Sequence, residues 1–98
     1  MTINKQQNGS SLTIELVGRL DTTTAPQLEN EIHASLGGVT ELVFDMKSLE
    51  YISSAGLRVL LAAQKIMNKQ GDMVVRNANE DIKEIFDVTG FSDILTIE

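Results

Sequence analysis

The stretch Glu41-Leu42-Val43-Phe44-Asp45-Met46-Lys47-Ser48-Leu49-Glu50-Tyr51-Ile52-Ser53-Ser54-Ala55-Gly56-Leu57 decides the fold. Its first five residues read as a short, mostly buried strand, and a loop is expected to carry the chain on to Ile52. From about Ser54 to Lys69 the period changes. Leu57, Leu60, Leu61, Gln64 and Met67 recur at helical spacing, which leaves Arg58, Lys65 and Lys69 for the polar side. Gly71 is expected to close this helix.

Working outward towards the amino end, Leu12, Ile14 and Leu16 alternate with Thr13 and Glu15, the period-two pattern of a strand with one buried face. Asn8-Gly9 before it predicts a tight hairpin turn, so two antiparallel strands open the fold. Thr24-Ala25-Pro26-Gln27 has capping-box spacing with proline early, predicting a helix to about Leu36 that Gly37-Gly38 ends. Towards the carboxyl end, Met73-Val74-Val75 supplies a strand. Asn79 caps a helix from Glu80 to about Thr89, stopped by Gly90, and Ile94-Leu95-Thr96-Ile97 makes a last strand. The predicted order is ββαβαβαβ. Strands separated by helices pair in parallel through right-handed crossovers, so the expected architecture is α/β, a mixed sheet with helices packed on it.

With 98 residues, the chain is expected to form one domain over 1–98. Hydrophobic residues at 42% and charged residues at 22% match an ordinary globular mixture. The absence of cysteine removes disulfides, thiolate metal sites and thiol nucleophiles, and fits a reducing cytoplasm. The start Met1-Thr2-Ile3-Asn4-Lys5 has no signal-peptide pattern, and no segment reaches the roughly 20 apolar residues of a membrane span. A formal charge of −6 opposes nucleic-acid binding and favours a protein partner. A monomer is expected when free.

Two hydroxyls, Ser53 and Ser54, stand where the chain turns into the second helix. On spacing alone the first reading is an N-cap, in which Ser54 or Ser53 accepts from an unpaired helical N–H at a gain of about 1 kcal/mol. The sharper reading is that the helix start could hold a phosphate monoester on one of them. Gly56 in the first turn costs roughly 1 kcal/mol against alanine, which implies a close backbone approach or tight packing of helix on sheet.

Ile52-Ser53-Ser54-Ala55-Gly56-Leu57, after a strand ending in Asp45, resembles the signature of bacterial anti-sigma factor antagonists, the STAS domain family. Gly18-Arg19-Leu20-Asp21 with Thr24-Ala25 resembles another loop of that family, and Phe86-Asp87-Val88-Thr89-Gly90-Phe91 resembles its third-helix ending, so nearly the whole chain is covered. The resemblance implies a STAS-like fold and phosphorylation of Ser54, with Ser53 the second choice. It implies a partner that is both anti-sigma factor and serine kinase, bound by the unphosphorylated form so that sigma factor is released, and a serine phosphatase that restores this form. The contact set it suggests is Asp21, Thr22, Ser53, Ser54, Ala55, Gly56, Leu57 and Arg58. Ser53 stands where many members carry Asp, and many relatives continue into a further helix beyond the fifth strand.

Enzymatic readings fare worse. A nucleophile elbow is Gly-x-Ser-x-Gly, and here Ile52 replaces the first glycine. The one histidine, His33, falls mid-helix as a partly exposed residue. No phosphate-cradling glycine loop exists, and no cluster has ligand spacing for a metal, so neither catalysis nor a cofactor is expected. Asp45 and Glu50 read as solvated or capping carboxylates, whereas Asp21 could share a rim with Ser54 and meet the kinase or its magnesium. The alternative to a phosphorylated switch is a non-phosphorylated STAS-like docking subunit of a signalling assembly.

Overall fold

The computed structural model describes residues 1–98. The elements are β1 (Thr2–Asn8), β2 (Ser11–Leu20), α1 (Ala25–Ser35), β3 (Glu41–Ile52), α2 (Ser54–Met67), β4 (Asp72–Arg76) and α3 (Glu80–Thr89), followed by a 3-10 turn at Phe91–Asp93. The strands form one mixed sheet in the order β1-β2-β3-β4. β1 runs antiparallel to β2, and β2, β3 and β4 run parallel. The hairpin is shifted by one residue from the sequence expectation. Asn8 pairs with Ser11, so the central turn residues are Gly9 and Ser10, with Gly9 at φ 63, a conformation glycine adopts without a Cβ clash.

Alternation places Leu12, Ile14 and Leu16 of β2, and Leu42, Phe44 and Met46 of β3, in one core. Leu28 and Ile32 of α1, Leu60 and Met67 of α2, and Ile82 and Phe86 of α3 pack into the same cluster. The other sheet face carries half-buried Thr13, Glu15, Val43 and Asp45 and is left without helices. On it Lys47 reaches Glu15 at 3.4 Å and Asp45 at 3.7 Å.

Two expectations are corrected. The segment from Met46 to Ile52 continues β3 rather than forming a loop. Asp45 faces Glu15 but Ser48 faces Val17, and Leu49 faces Gly18 but Tyr51 faces Arg19, so β3 carries two residues more than β2 over this span. Such bulges break the period of two: Met46, Leu49 and Ile52 are buried three apart, a spacing that hides a strand from pattern reading. The predicted last strand shrinks to a single parallel bridge, Ile97 beside Val75. Phe91–Asp93 takes the 3-10 turn and Ile94 is exposed, so only Thr96 and Glu98 bond to Val75, at 2.9 Å each. The observed order is thus ββαβαβα, with the tail touching the edge of β4.

Candidate functional site

The ends of β2 and β3 lie side by side. Leu20 is in register with Ile52, and the Ser53 backbone N–H donates to the Leu20 carbonyl at 2.9 Å. The loop entering α1 and the loop entering α2 are therefore set on one rim at the carboxyl end of two parallel strands, the side of an open α/β sheet where binding crevices form.

The first loop is closed on itself. Asp21 Oδ1 accepts from the Thr23 hydroxyl at 2.7 Å, the Thr23 N–H at 3.0 Å and the Thr24 N–H at 3.2 Å. These bonds, led by the Thr23 hydroxyl, hold the Asp21 carboxyl below its ordinary value. The expected capping box at Thr24 and Gln27 is absent. Thr24 sits at the N-cap, but its hydroxyl donates to the Arg19 carbonyl and accepts from the Asp21 N–H, each at 2.8 Å. Beside it, Arg19 lies over the Tyr51 ring at 4.5 Å and 3.8 Å from the Asp21 carboxylate.

The second loop divides its two serines. Ser53 is the N-cap, its Oγ accepting from the Gly56 N–H at 3.4 Å and its carbonyl from the Leu57 N–H at 2.9 Å. Ser54, the first helical residue, is exposed and takes no part in the cap. Gly56 is explained by packing. A Cβ there would lie 2.7 Å from Leu20 Cγ and 2.9 Å from Ile52 Cγ1, so the missing side chain lets α2 press directly on the two strand ends.

Between α1 and α2 the rim opens into a groove of about 350 Å³, with Thr22, Glu29 and Arg58 among its polar lining and Pro26, Ala55 and Val59 among its apolar lining. Of the residues singled out from sequence, the structure brings Thr22, Ala55 and Arg58 together here, with Asp21 and both serines beside them. Gly56 and Leu57 are buried, so they hold α2 on the sheet and offer no side chain to a partner. Asp45 is remote from the rim. Burial pushes its carboxyl up, but the Asn77 amide at 3.1 Å, the Lys47 N–H and the Lys47 ammonium outweigh this and leave it lowered. Glu50 is exposed, as is His33, 3.8 Å from Glu29 on the same helix. The sequence reading missed the α1 wall of the groove. Its signal was Pro26 and Glu29 recurring at helical spacing beside buried Ala25 and Leu28.

The sequence matches the STAS domain family model over residues 2–98. The chain belongs to the STAS domain family. Among relatives of this STAS domain, the Bordetella bronchiseptica protein BtrV, provisionally named an anti-sigma factor antagonist, is 38% identical, over 84% of this chain and 72% of its own length. The anti-sigma-B factor antagonist of Bacillus subtilis is 28% identical, over 99% of this chain and 90% of its own. In fold, the STAS domain is similar to the Bacillus anti-sigma factor antagonist SpoIIAA. The unphosphorylated form superposes at a TM-score of 0.78 with 17% identity, over 99% of this chain and 87% of that one. The phosphorylated form gives 0.77 with 18% identity, over 99% and 91%.

Proposed function

We propose that this STAS domain is an anti-sigma factor antagonist, a binding protein rather than an enzyme, switched by phosphorylation of Ser54. The names of its relatives support the class, and the observation that carries the switch is the division of labour at the start of α2. Ser53 makes the cap while the Ser54 hydroxyl stays exposed on the rim. A phosphate on Ser54 would meet the amino end of a helix, where the dipole and free N–H groups tolerate negative charge, so modification need not disturb the fold. The unmodified rim would bind an anti-sigma factor that is also a serine kinase and so release sigma factor in the cytoplasm; a serine phosphatase would reset it. A loss of about 2.7 kcal/mol on phosphorylation would make the complex a hundredfold weaker.

The test is transfer of phosphate from Mg-ATP by the serine kinase that pairs with this protein, read as intact mass. One phosphate is expected on the wild type and on Ser53→Ala, and none on Ser54→Ala. The reverse pattern would move the site to Ser53, and binding without transfer would favour a docking subunit that is not phosphorylated.

A further inference from the structure

The chain is acidic as a whole, yet its charge is unevenly placed. From Tyr51 to Gly71 there is no Asp or Glu, while Arg58, Lys65 and Lys69 fall within that span. Of the eight Lys and Arg residues, five reach a carboxylate: Lys5 to Glu31, Arg19 to Asp21, Lys47 to Glu15 and Asp45, Arg76 to Glu98, and Lys83 to Glu80. The remaining three, Arg58, Lys65 and Lys69, are all exposed and are the cations of α2 and the turn that ends it. At 3.6 residues per turn, Ser54, Arg58 and Lys65 fall within about 40° of one another, in a row about 17 Å long. Lys69 continues the row, its N–H bonded to the Ile66 carbonyl at 3.1 Å. Half-buried Leu61 and Ala62 lie between the cations, so the row mixes positive charge with modest apolar area.

We infer that the outer face of α2 is a basic docking stripe that recognises an acidic surface on the protein partner. The complementarity argument is direct. Three cations without internal partners, lined up along α2 and the turn that ends it in a protein with formal charge −6, attract a negative surface locally and repel a positive one. Glu29 of α1 lines the same groove as Arg58, so a carboxylate stands on the α1 side of the stripe at its Arg58 end.

This gives the proposed switch a local mechanism, a step that rests on the Ser54 reading. A phosphate adds about −1.5 to −2 charge. It would arrive at the head of the stripe, about 6 Å along the axis from Arg58 and about 17 Å from Lys65. With screening over about 8 Å at physiological salt, it cancels Arg58 first and leaves the Lys65 end largely intact. Phosphorylation then acts by subtracting from a complementary field rather than by adding to a surface already repulsive.

The probe is poly-L-glutamate titrated into the isotopically labelled protein at low salt, with poly-L-lysine as control, read by backbone amide shifts. Saturable shifts along Ser54 to Lys69 are expected, abolished by Lys65→Glu/Lys69→Glu and weakened by the milder Lys65→Gln/Lys69→Gln. Shifts centred on Lys5, Lys47 or Lys83, no saturation, or indifference to both double variants would overturn the stripe. A chain carrying phosphoserine at 54, introduced during translation, should bind about tenfold more weakly; equal affinity would overturn the subtraction mechanism. The two readings fail separately. A stripe that binds in a protein whose Ser54 no kinase modifies removes the switch alone, and a modifiable Ser54 without poly-L-glutamate binding removes the stripe alone.

Discussion

The loops entering α1 and α2 sit on one rim and begin alike, each leaving a parallel strand for a helix, yet they use their polar groups in opposite ways. In the first, Asp21, Thr23 and Thr24 satisfy one another and the Arg19 carbonyl, and little is left for an outside molecule. In the second, one serine is spent on the cap and its neighbour is left over. A hydroxyl that the fold uses is expensive to modify; one the fold ignores is free to carry a signal. Of the two halves of the rim, only the second leaves an exposed serine hydroxyl outside the hydrogen bonds of its own loop, which is why the proposed modification falls there.

The largest expected effect comes from the packing that holds both loops together. Gly56→Val would drive two methyl groups into Leu20 and Ile52, the residues at the two strand ends. A destabilisation of about 3 kcal/mol is expected by chemical denaturation. A change near zero would break the comparison, because the loops would then be positioned by something other than this contact. Asp21→Ala comes next. It removes the acceptor of three hydrogen bonds and should lower the thermal midpoint more than Ser53→Ala, which loses one long cap bond worth about 0.5 to 1 kcal/mol. The opposite ranking would mean that the first loop is the looser one.

Acid sharpens the same contrast. Asp21 and Asp45 both have carboxyls below the ordinary 3.8, held down in Asp21 chiefly by the Thr23 hydroxyl and in Asp45 by the Asn77 amide and Lys47 against the opposing effect of burial. A carboxyl lowered by folding binds protons more readily in the unfolded chain. Stability from these groups is therefore complete above 3.8 and is lost as pH falls from there through the lower folded values. Thermal midpoints followed from about pH 6 to about pH 3 should fall at the acid end, less steeply in Asp21→Asn. An identical slope in that variant would show that the Asp21 network contributes nothing.

Much of this was legible in the sequence because it is local. The alternation in β2, the Asn79 cap and the stop at Gly90 are each fixed within a few residues, and α3 spans Glu80–Thr89 as expected. The extension of β3 was not legible, because its bulges are defined only against β2, thirty residues away in sequence. At the rim, spacing put a serine at the helix start but could not say which of two adjacent hydroxyls would turn inward; the backbone bond from Ser53 to Leu20 decides that. Gln64 shows the same limit. Its helical position marked it as inward-facing, and it is buried, with Nε2 donating to Asn68 at 2.8 Å and Oε1 unpaired. Gln64→Met should raise stability by about 1 kcal/mol by removing that orphaned acceptor, and a loss instead would point to a partner for Oε1.

The smallest expected effect is the most informative. Ser54→Ala removes an exposed hydroxyl that the cap does not use, so its unfolding free energy should lie within about 0.5 kcal/mol of wild type. Ser54→Asp should likewise leave the thermal midpoint nearly unchanged, since the start of a helix favours a carboxylate, while weakening the kinase complex. Stability and binding would then be carried by adjacent residues, Ser53 for one and Ser54 for the other. If Ser54→Ala instead destabilised as much as Ser53→Ala, the second hydroxyl would be structural too, and neither loop of the rim would hold a group to spare.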